Sequence, residues 1–289
     1  MSILQKGDKV AFIACSDGRD ESKASVYSFL EKQLEQFGIY SVYAKTFYAK
    51  ENTPFSGTPK QRAAELMKLY ADKEIKAIFD LSGGNSANEV LSFIDSTVIK
   101  ENPKPFIGIS DLSVLNNALF ALTGVANLHY QAMNLIGPDA DFQKDLFAQV
   151  FLESWASPND SVTFSYRWIC GDSMSGCVIG GNARCFLKLA GTRYMPDPEG
   201  KLLFLESLGG GPAAIASYFA QLDQLGIFEK CTGILLGTFT YMEKNACSPS
   251  VEELLLQYTK KYRTPIAKTE QLGHGPDSHC IPIGMHLEL

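Results

Sequence analysis

From Lys9 to about Tyr130, short apolar runs alternate with amphipathic helical patterns, and a cap, a proline or a glycine marks most changeovers. Strands separated by helices pair in parallel through right-handed crossovers, so this alternation commits the first half to a doubly wound α/β layer. KVAFIA (Lys9–Ala14), IYSVYAKTF (Ile39–Phe47), AIFDLS (Ala77–Ser82), PFIGIS (Pro105–Ser110) and VANLHY (Val125–Tyr130) predict five strands. ESKASVYSFLEKQLEQFG predicts a helix with Val26, Phe29, Leu30, Leu34 and Phe37 on its inner face and Gly38 as its stop. TPKQRAAELMKLYAD predicts another, with Thr58 as N-cap, Pro59 at the first position and Gln61 closing a capping box. NSANEVLSFID and DLSVLNNALFALTG predict two more.

The pattern then changes. A polar stretch from Gly137 holds a helix at Phe142–Ser154. Beyond it come short strands with glycine-rich turns: SVTFSYRWI, GCVIGGN, KLLFLES, TGILLGTF and CIPIGMHLEL. Two helices stand among them, Pro212–Leu225 and SVEELLLQYTKKY. The shift predicts two domains: residues 1–158, flavodoxin-like α/β, and residues 159–289, smaller and β-rich.

Composition removes several function classes. The net charge is −6, which lacks the basic footprint of a nucleic-acid binder. No apolar run reaches the roughly 18 residues of a membrane span. The start, MSILQKGDKVAFIACSDG, reads as a first strand and not as a secretory signal, which places the chain in the cytoplasm. The 7 cysteines are odd in number and include no CxxC pair, so free thiols are expected, with no metal site.

In open α/β sheets, functional groups gather at the carboxyl ends of strands. Ser110 stands at such an end, in GISD, with a helix immediately after it. Strand, sharp turn and helix make the layout of a nucleophile elbow, although Leu112 takes the last glycine position of G-x-S-x-G. A plain helix-cap serine fits the same residues. A second corner, LSGGNSANE, sets Gly83 and Gly84 where backbone N–H groups can face a ligand or an oxyanion; an ordinary tight turn fits too. A serine needs a base. Of the 4 histidines, His274 lies between glycines in QLGHGPD, His279 is its rival on the same loop, and His129 sits in an apolar strand as a core or rim residue. Glu206, ending KLLFLE before three glycines, is the carboxylate candidate. The order Ser, Glu, His is one that hydrolytic triads use.

GGNSANEVL, FIGISDLSVL, VIGGNARCFLKLAGTRYMPDPEGKLLFLE, LDQLGIFEKCTGILLGTF and LGHGPDSHCIPIG occur in order along nearly the whole chain. In them the sequence resembles the LD-carboxypeptidases of serine peptidase family S66, whose relatives include the microcin C7 immunity peptidases. The resemblance implies Ser110 as nucleophile, Glu206 and His274 as its partners, and the N–H groups of Gly84 and Asp111 as oxyanion donors. It implies Gly83, Asn85 and Asn182 as substrate-binding residues, no cofactor, a homodimer, and a murein tetrapeptide that loses its terminal D-alanine. Asn85 replaces an aromatic common after the paired glycines, and HYQAMN (His129–Asn134) replaces a Tyr-Gly-Pro run. The first is closer to the microcin-immunity branch, and both leave the substrate open while keeping the chemistry. The alternatives are a peptidase that cleaves an aminoacyl-nucleotide amide, with Tyr194 or Trp168 stacking on a base, and a non-catalytic protein that only binds its ligand. Arg184 and Arg193 are the candidates for a substrate carboxylate.

Overall fold

The computed structural model describes residues 2–161 and 163–289. Strands β1 (Lys9–Ile13), β2 (Tyr40–Tyr43), β3 (Ile75–Asp80), β4 (Phe106–Gly108) and β5 (Asn127–His129) run parallel in the order β5-β4-β3-β1-β2. Between and after them lie α1 (Ala24–Gln36), α2 (Pro59–Ala71), α3 (Ser96–Glu101), α4 (Ser113–Thr123) and α5 (Ala140–Phe147). The second half adds β6 (Arg167–Cys170), β7 (Ser175–Asn182), β8 (Lys201–Ser207), β9 (Gly233–Phe239), β10 (Ile266–Lys268), β11 (Ile281–Ile283) and β12 (His286–Glu288). Its helices are α6 (Ala183–Phe186), α7 (Pro212–Gln224), α8 (Ile227–Lys230), α9 (Thr240–Lys244) and α10 (Val251–Thr259). The second sheet runs β12-β7-β8-β9-β10-β6, with β7 to β10 parallel and the two edge strands antiparallel.

The capping box at α2 forms as its sequence dictates: Thr58 Oγ1 accepts from Gln61 N, and Gln61 Oε1 accepts from Thr58 N. Helix α1 is turned from its expected face. Tyr27, Leu30 and Leu34 are buried, while Val26 is 40% and Phe29 52% exposed. Tyr27 decides this by packing edge-on to Phe47, with ring centroids 5.1 Å apart. The helix expected over NSANEVLSFID, residues 85–95, is a shorter 3₁₀ segment, Ala87–Phe93. The expected strand from Ser161 narrows to β6, and its Val162 lies outside the described residues. CIPIGMHLEL is two strands in two sheets: β11 pairs antiparallel with β5, and β12 with β7.

Helix α4 explains how the halves meet. Seven successive residues, Ser113 to Leu119, are buried, because α4 lies against both sheets. One hydrophobic cluster runs from Ile13 and Leu66 through Leu115 and Leu119 to Ile179, Leu203 and Leu236. A polar helix face inside such a core must be hydrogen-bonded. Asn117 meets that demand: Nδ2 donates to Gly180 O (2.6 Å) and Ser113 O (2.7 Å), and Oδ1 accepts from Gly180 N (2.8 Å). Strand β7 comes this close because it carries glycines there. A Cβ on Gly181, at φ 127°, would lie 2.5 Å from Ser113 Oγ.

Candidate active site

Strand β4 ends at Gly108, Ile109 is extended, and Ser110 turns the chain with φ 63° into a 3₁₀ segment that continues as α4. A left-handed serine is uncommon and costs on the order of 1–3 kcal/mol, so the surrounding packing must hold it. Leu112, fully buried, supplies that packing: a Cβ on Gly108 would lie 2.5 Å from Leu112 Cδ1, so the glycine and the leucine fit as a pair. This is why leucine stands where a G-x-S-x-G motif has its last glycine. Neither the 3₁₀ segment nor α4 has a side-chain cap, so the Ser110 hydroxyl caps no helix.

Asp111 points the other way. Its buried carboxylate accepts from Ser16 Oγ (2.7 Å), Ala87 N (2.8 Å) and the Lys188 ammonium. It thereby ties β1, the paired-glycine turn and the second half to the serine corner. That turn follows β3, whose last residue Asp80 is buried and accepts from Cys15 N, Ser82 N and Ser82 Oγ. Burial raises the Asp80 pKa, and these hydrogen bonds pull against the rise. Gly84 has φ 125°, and a Cβ there would lie 2.2 Å from the Asp17 carboxylate, so no larger residue fits. Among the described residues, no hydrogen bond uses the Gly84 N–H.

Glu206 ends the apolar stretch of β8 and is fully buried. Its Oε2 is 2.6 Å from His274 Nδ1. The His274 loop reaches Glu206 through Gly273, where a Cβ would lie 2.1 Å from Thr238 Oγ1. Distant elements hold that loop. Thr238 N donates to Leu272 O (2.7 Å), Asn134 Nδ2 to Gly275 O (3.0 Å), and Gln143 Nε2 to Pro276 O (3.0 Å) and Ser278 O (2.9 Å). Among the described residues, His274 Nε2 has no hydrogen-bond partner. His274 and Ser110 line the same cavity, of about 390 Å³.

The other two histidines near the site differ in kind. His279 is buried, with Nδ1 2.7 Å from Thr163 Oγ1 and its ring against Phe142. It does not line the cavity. His129 stands at the end of β5 with Nε2 3.9 Å from Glu206 Oε1, too long for a hydrogen bond. Burial pushes the His129 pKa down to about 4, against the pull of Glu206, so the ring stays neutral near pH 7. Its apolar strand marks His129 in the sequence as a core or rim residue, and nothing there signals its carboxylate neighbour, Glu206.

The cavity is also lined by Gly83, Gly84 and Arg19, but not by Asn85 or Asn182. Asn182 is buried, and its Oδ1 accepts from Cys185 N as the N-cap of α6. Asn85 is exposed and bonded through Oδ1 to Arg184. All seven cysteines are free, and burial pushes the Cys185 thiol up to about 12. Among the described residues no group of three or more His, Cys, Asp or Glu side chains is placed to hold a metal ion. Among them too, no helix is long and apolar enough to cross a membrane.

An LD-carboxypeptidase N-terminal domain model matches residues 10–130, and an LD-carboxypeptidase C-terminal domain model matches residues 175–289. The chain belongs to the LD-carboxypeptidase family. It is therefore a serine-type hydrolase of family S66. The chain is 28% identical over 286 residues to the "Probable murein peptide carboxypeptidase" of Bacillus subtilis, covering 97% of this chain and 88% of that one. Among solved structures, MccF in complex with glutamyl sulfamoyl guanosine has TM-score 0.86 at 22% identity, over 99% of this chain and 93% of that one. Muramoyltetrapeptide carboxypeptidase from Oxalobacter formigenes has TM-score 0.79 at 22% identity, over 97% and 94%. At such identities the structural likeness is one of fold.

Within this LD-carboxypeptidase chain the two arginines expected near substrate stand elsewhere. Arg184 is held by Asn85 Oδ1 and Gly84 O, and Arg193 lies over the Tyr194 ring at 5.1 Å. Neither lines the cavity; Arg19 does. Arg19 sits in the loop after β1, beside Asp17 and Asp20 in SDGRD, and reads there as an ordinary surface charge.

Proposed function

We propose that the protein is a serine carboxypeptidase that hydrolyses an L,D-peptide bond and releases the terminal D-alanine of a murein tetrapeptide. The observation that carries this reading is the 2.6 Å contact between Glu206 and His274 beside a cavity that Ser110 also lines, in a chain of this family.

Donation of the His274 Nδ1–H to Glu206 leaves Nε2 with its lone pair, the form a general base needs. Ser110 Oγ attacks the carbonyl carbon of the scissile amide as its proton passes to Nε2. The imidazolium that forms is stabilised by Glu206, whose burial keeps water from weakening the attraction. Gly84 N–H and Asp111 N–H receive the negative oxygen, each worth roughly 2.7–4 kcal/mol if typical. The imidazolium then protonates the amine of D-alanine, which leaves. Water, deprotonated by His274, attacks the acyl-serine and restores the hydroxyl.

An aminoacyl-nucleotide amide would use the same three residues but needs an aromatic wall for its base. Tyr194 and Trp168, the side chains considered for that, lie off the cavity: Tyr194 is under Arg193, and Trp168 is edge-on to Tyr166. This favours the peptide. The family resemblance further implies a homodimer, which light scattering would read as twice 31.7 kDa. The purified protein, offered a murein tetrapeptide and an aminoacyl sulfamoyl adenosine at equal concentration, is expected to release D-alanine with the higher kcat/KM. A higher kcat/KM on the sulfamoyl adenosine overturns the reading.

A further inference from the structure

A carboxypeptidase must recognise the free carboxylate of the residue it removes, and the cavity holds one candidate. Among the described residues, Arg19 is the only lysine or arginine lining it. Among the described residues no carboxylate pairs with Arg19, and neither Nη1 nor Nη2 takes part in a hydrogen bond. The one acid in the lining, Asp80, is already engaged by three donors from Cys15 and Ser82.

The guanidinium is also fixed in advance. Its Nε donates to Tyr27 Oη at 2.9 Å, and its carbon lies 5.4 Å from the centre of the same ring. Tyr27 is itself buried against Phe47 and Tyr48. The backbone of Arg19 is pinned on both sides: its N–H donates to Phe47 O (2.9 Å), and its carbonyl accepts from Ala49 N (2.8 Å). Gly18 permits this, since a Cβ there would lie 2.6 Å from Ala49 Cα. A guanidinium with Nε occupied and both Nη groups free presents one edge, the edge that grips a carboxylate with two parallel bonds.

We propose that Arg19 is a specificity-determining residue that binds the C-terminal carboxylate of the peptide substrate through Nη1 and Nη2. The inference rests on the carboxypeptidase reading and adds to it which group selects a chain end. A charge-assisted pair of this kind, partly shielded from water, is worth roughly 10- to 100-fold in kcat/KM.

The test compares a tetrapeptide ending in D-alanine with the same peptide ending in D-alanine amide. The proteins are the wild type, Arg19→Leu, Arg19→Gln and Arg19→Lys. Arg19→Gln keeps a donor for Tyr27 should Arg19→Leu fold poorly, and thermal melting monitors the fold of each. The wild type is expected to prefer the acid by roughly 10- to 100-fold. That preference should collapse toward unity in Arg19→Leu and Arg19→Gln and return in part in Arg19→Lys, mainly through KM on the acid. An unchanged acid-to-amide ratio in folded Arg19→Leu or Arg19→Gln, or equal loss on both substrates, overturns the role of Arg19. A wild type that cleaves the acid and the amide equally overturns it too, while leaving the hydrolase reading standing. A wild type that cleaves neither removes that reading and this inference with it.

Discussion

The corner at Ser110 and the loop at His274 face one cavity, yet they are built differently. The corner is made within five residues: Gly108 accepts Leu112 above it, Ile109 extends, and Ser110 turns at φ 63° into the helix. The loop is assembled from afar. Thr238 on β9 and Asn134 after β5 each hold one of its carbonyls, Gln143 on α5 holds two, and Glu206 on β8 holds its imidazole. The proposed nucleophile is thus placed by local backbone geometry and the proposed base by long-range hydrogen bonds. Substitutions far in sequence should therefore damage the base and spare the serine.

The largest effect should come from the two histidines that share the loop. His274→Ala removes the proposed general base and should lower kcat by roughly 10²–10⁴-fold, with a smaller change in KM. His279→Ala removes a contact with Thr163 and should change kcat by a few-fold at most. Steady-state kinetics on one peptide at fixed pH separates them, and the opposite ranking would mean the wrong ring was assigned. Glu206→Gln should fall between these two: a hydrogen bond to Nδ1 can survive, but the charge that favours the imidazolium is gone.

The contrast between corner and loop also decided what could be read from sequence. The Ser110 corner was legible because its strand, turn and helix are contiguous. The Glu206–His274 contact spans 68 residues; strand position and chain order offered the two as candidates, with His279 as a rival, and family resemblance singled them out, since no spacing rule joins them. The inner face of α1 was misjudged at Val26 and Phe29 because a hydrophobic pattern does not record which aromatic finds a partner; Tyr27 found Phe47 and Tyr48. CIPIGMHLEL looked like one strand because Gly284, at φ 92°, is a single break between two strands that join different sheets. Arg19 was overlooked because an arginine among acids carries no periodicity, and only the fold brings it to the cavity of Ser110.

A finer test is Gln143→Ala. Gln143 touches neither Ser110 nor His274 in the hydrogen-bond network, but it satisfies the carbonyls of Pro276 and Ser278. Leaving them unpaired should cost about 1–3 kcal/mol of stability by denaturant titration. It should also lower kcat several-fold while labelling of Ser110 by a reactive phosphonate falls no further than kcat does. A loss of stability with full kcat would mean the loop is held without α5.

The smallest effect concerns pH. His129 has its pKa depressed by burial to about 4, against about 6.5 in an unfolded chain. The unfolded state therefore takes up the proton first. The stabilisation is fully present above about pH 6.5 and is lost as pH falls toward 4. Between pH 7 and 5.5 the loss should be about 1 kcal/mol, read from melting curves in matched buffers. His129→Gln should flatten that part of the profile, and an unchanged slope would show that other groups cause it.

On the proposed mechanism, Ser110 forms a covalent acyl-enzyme with His274 as its base. Mass spectrometry of the intact protein and of its peptides, after reaction with a fluorophosphonate, tests it most directly. One adduct per chain is expected, located on Ser110, absent in Ser110→Ala and formed far more slowly in His274→Ala. Ser110→Ala should melt within about 1 kcal/mol of the wild type, because the hydroxyl caps no helix. An adduct on another residue, or hydrolysis of the peptide by pure Ser110→Ala at the wild-type rate, would contradict it.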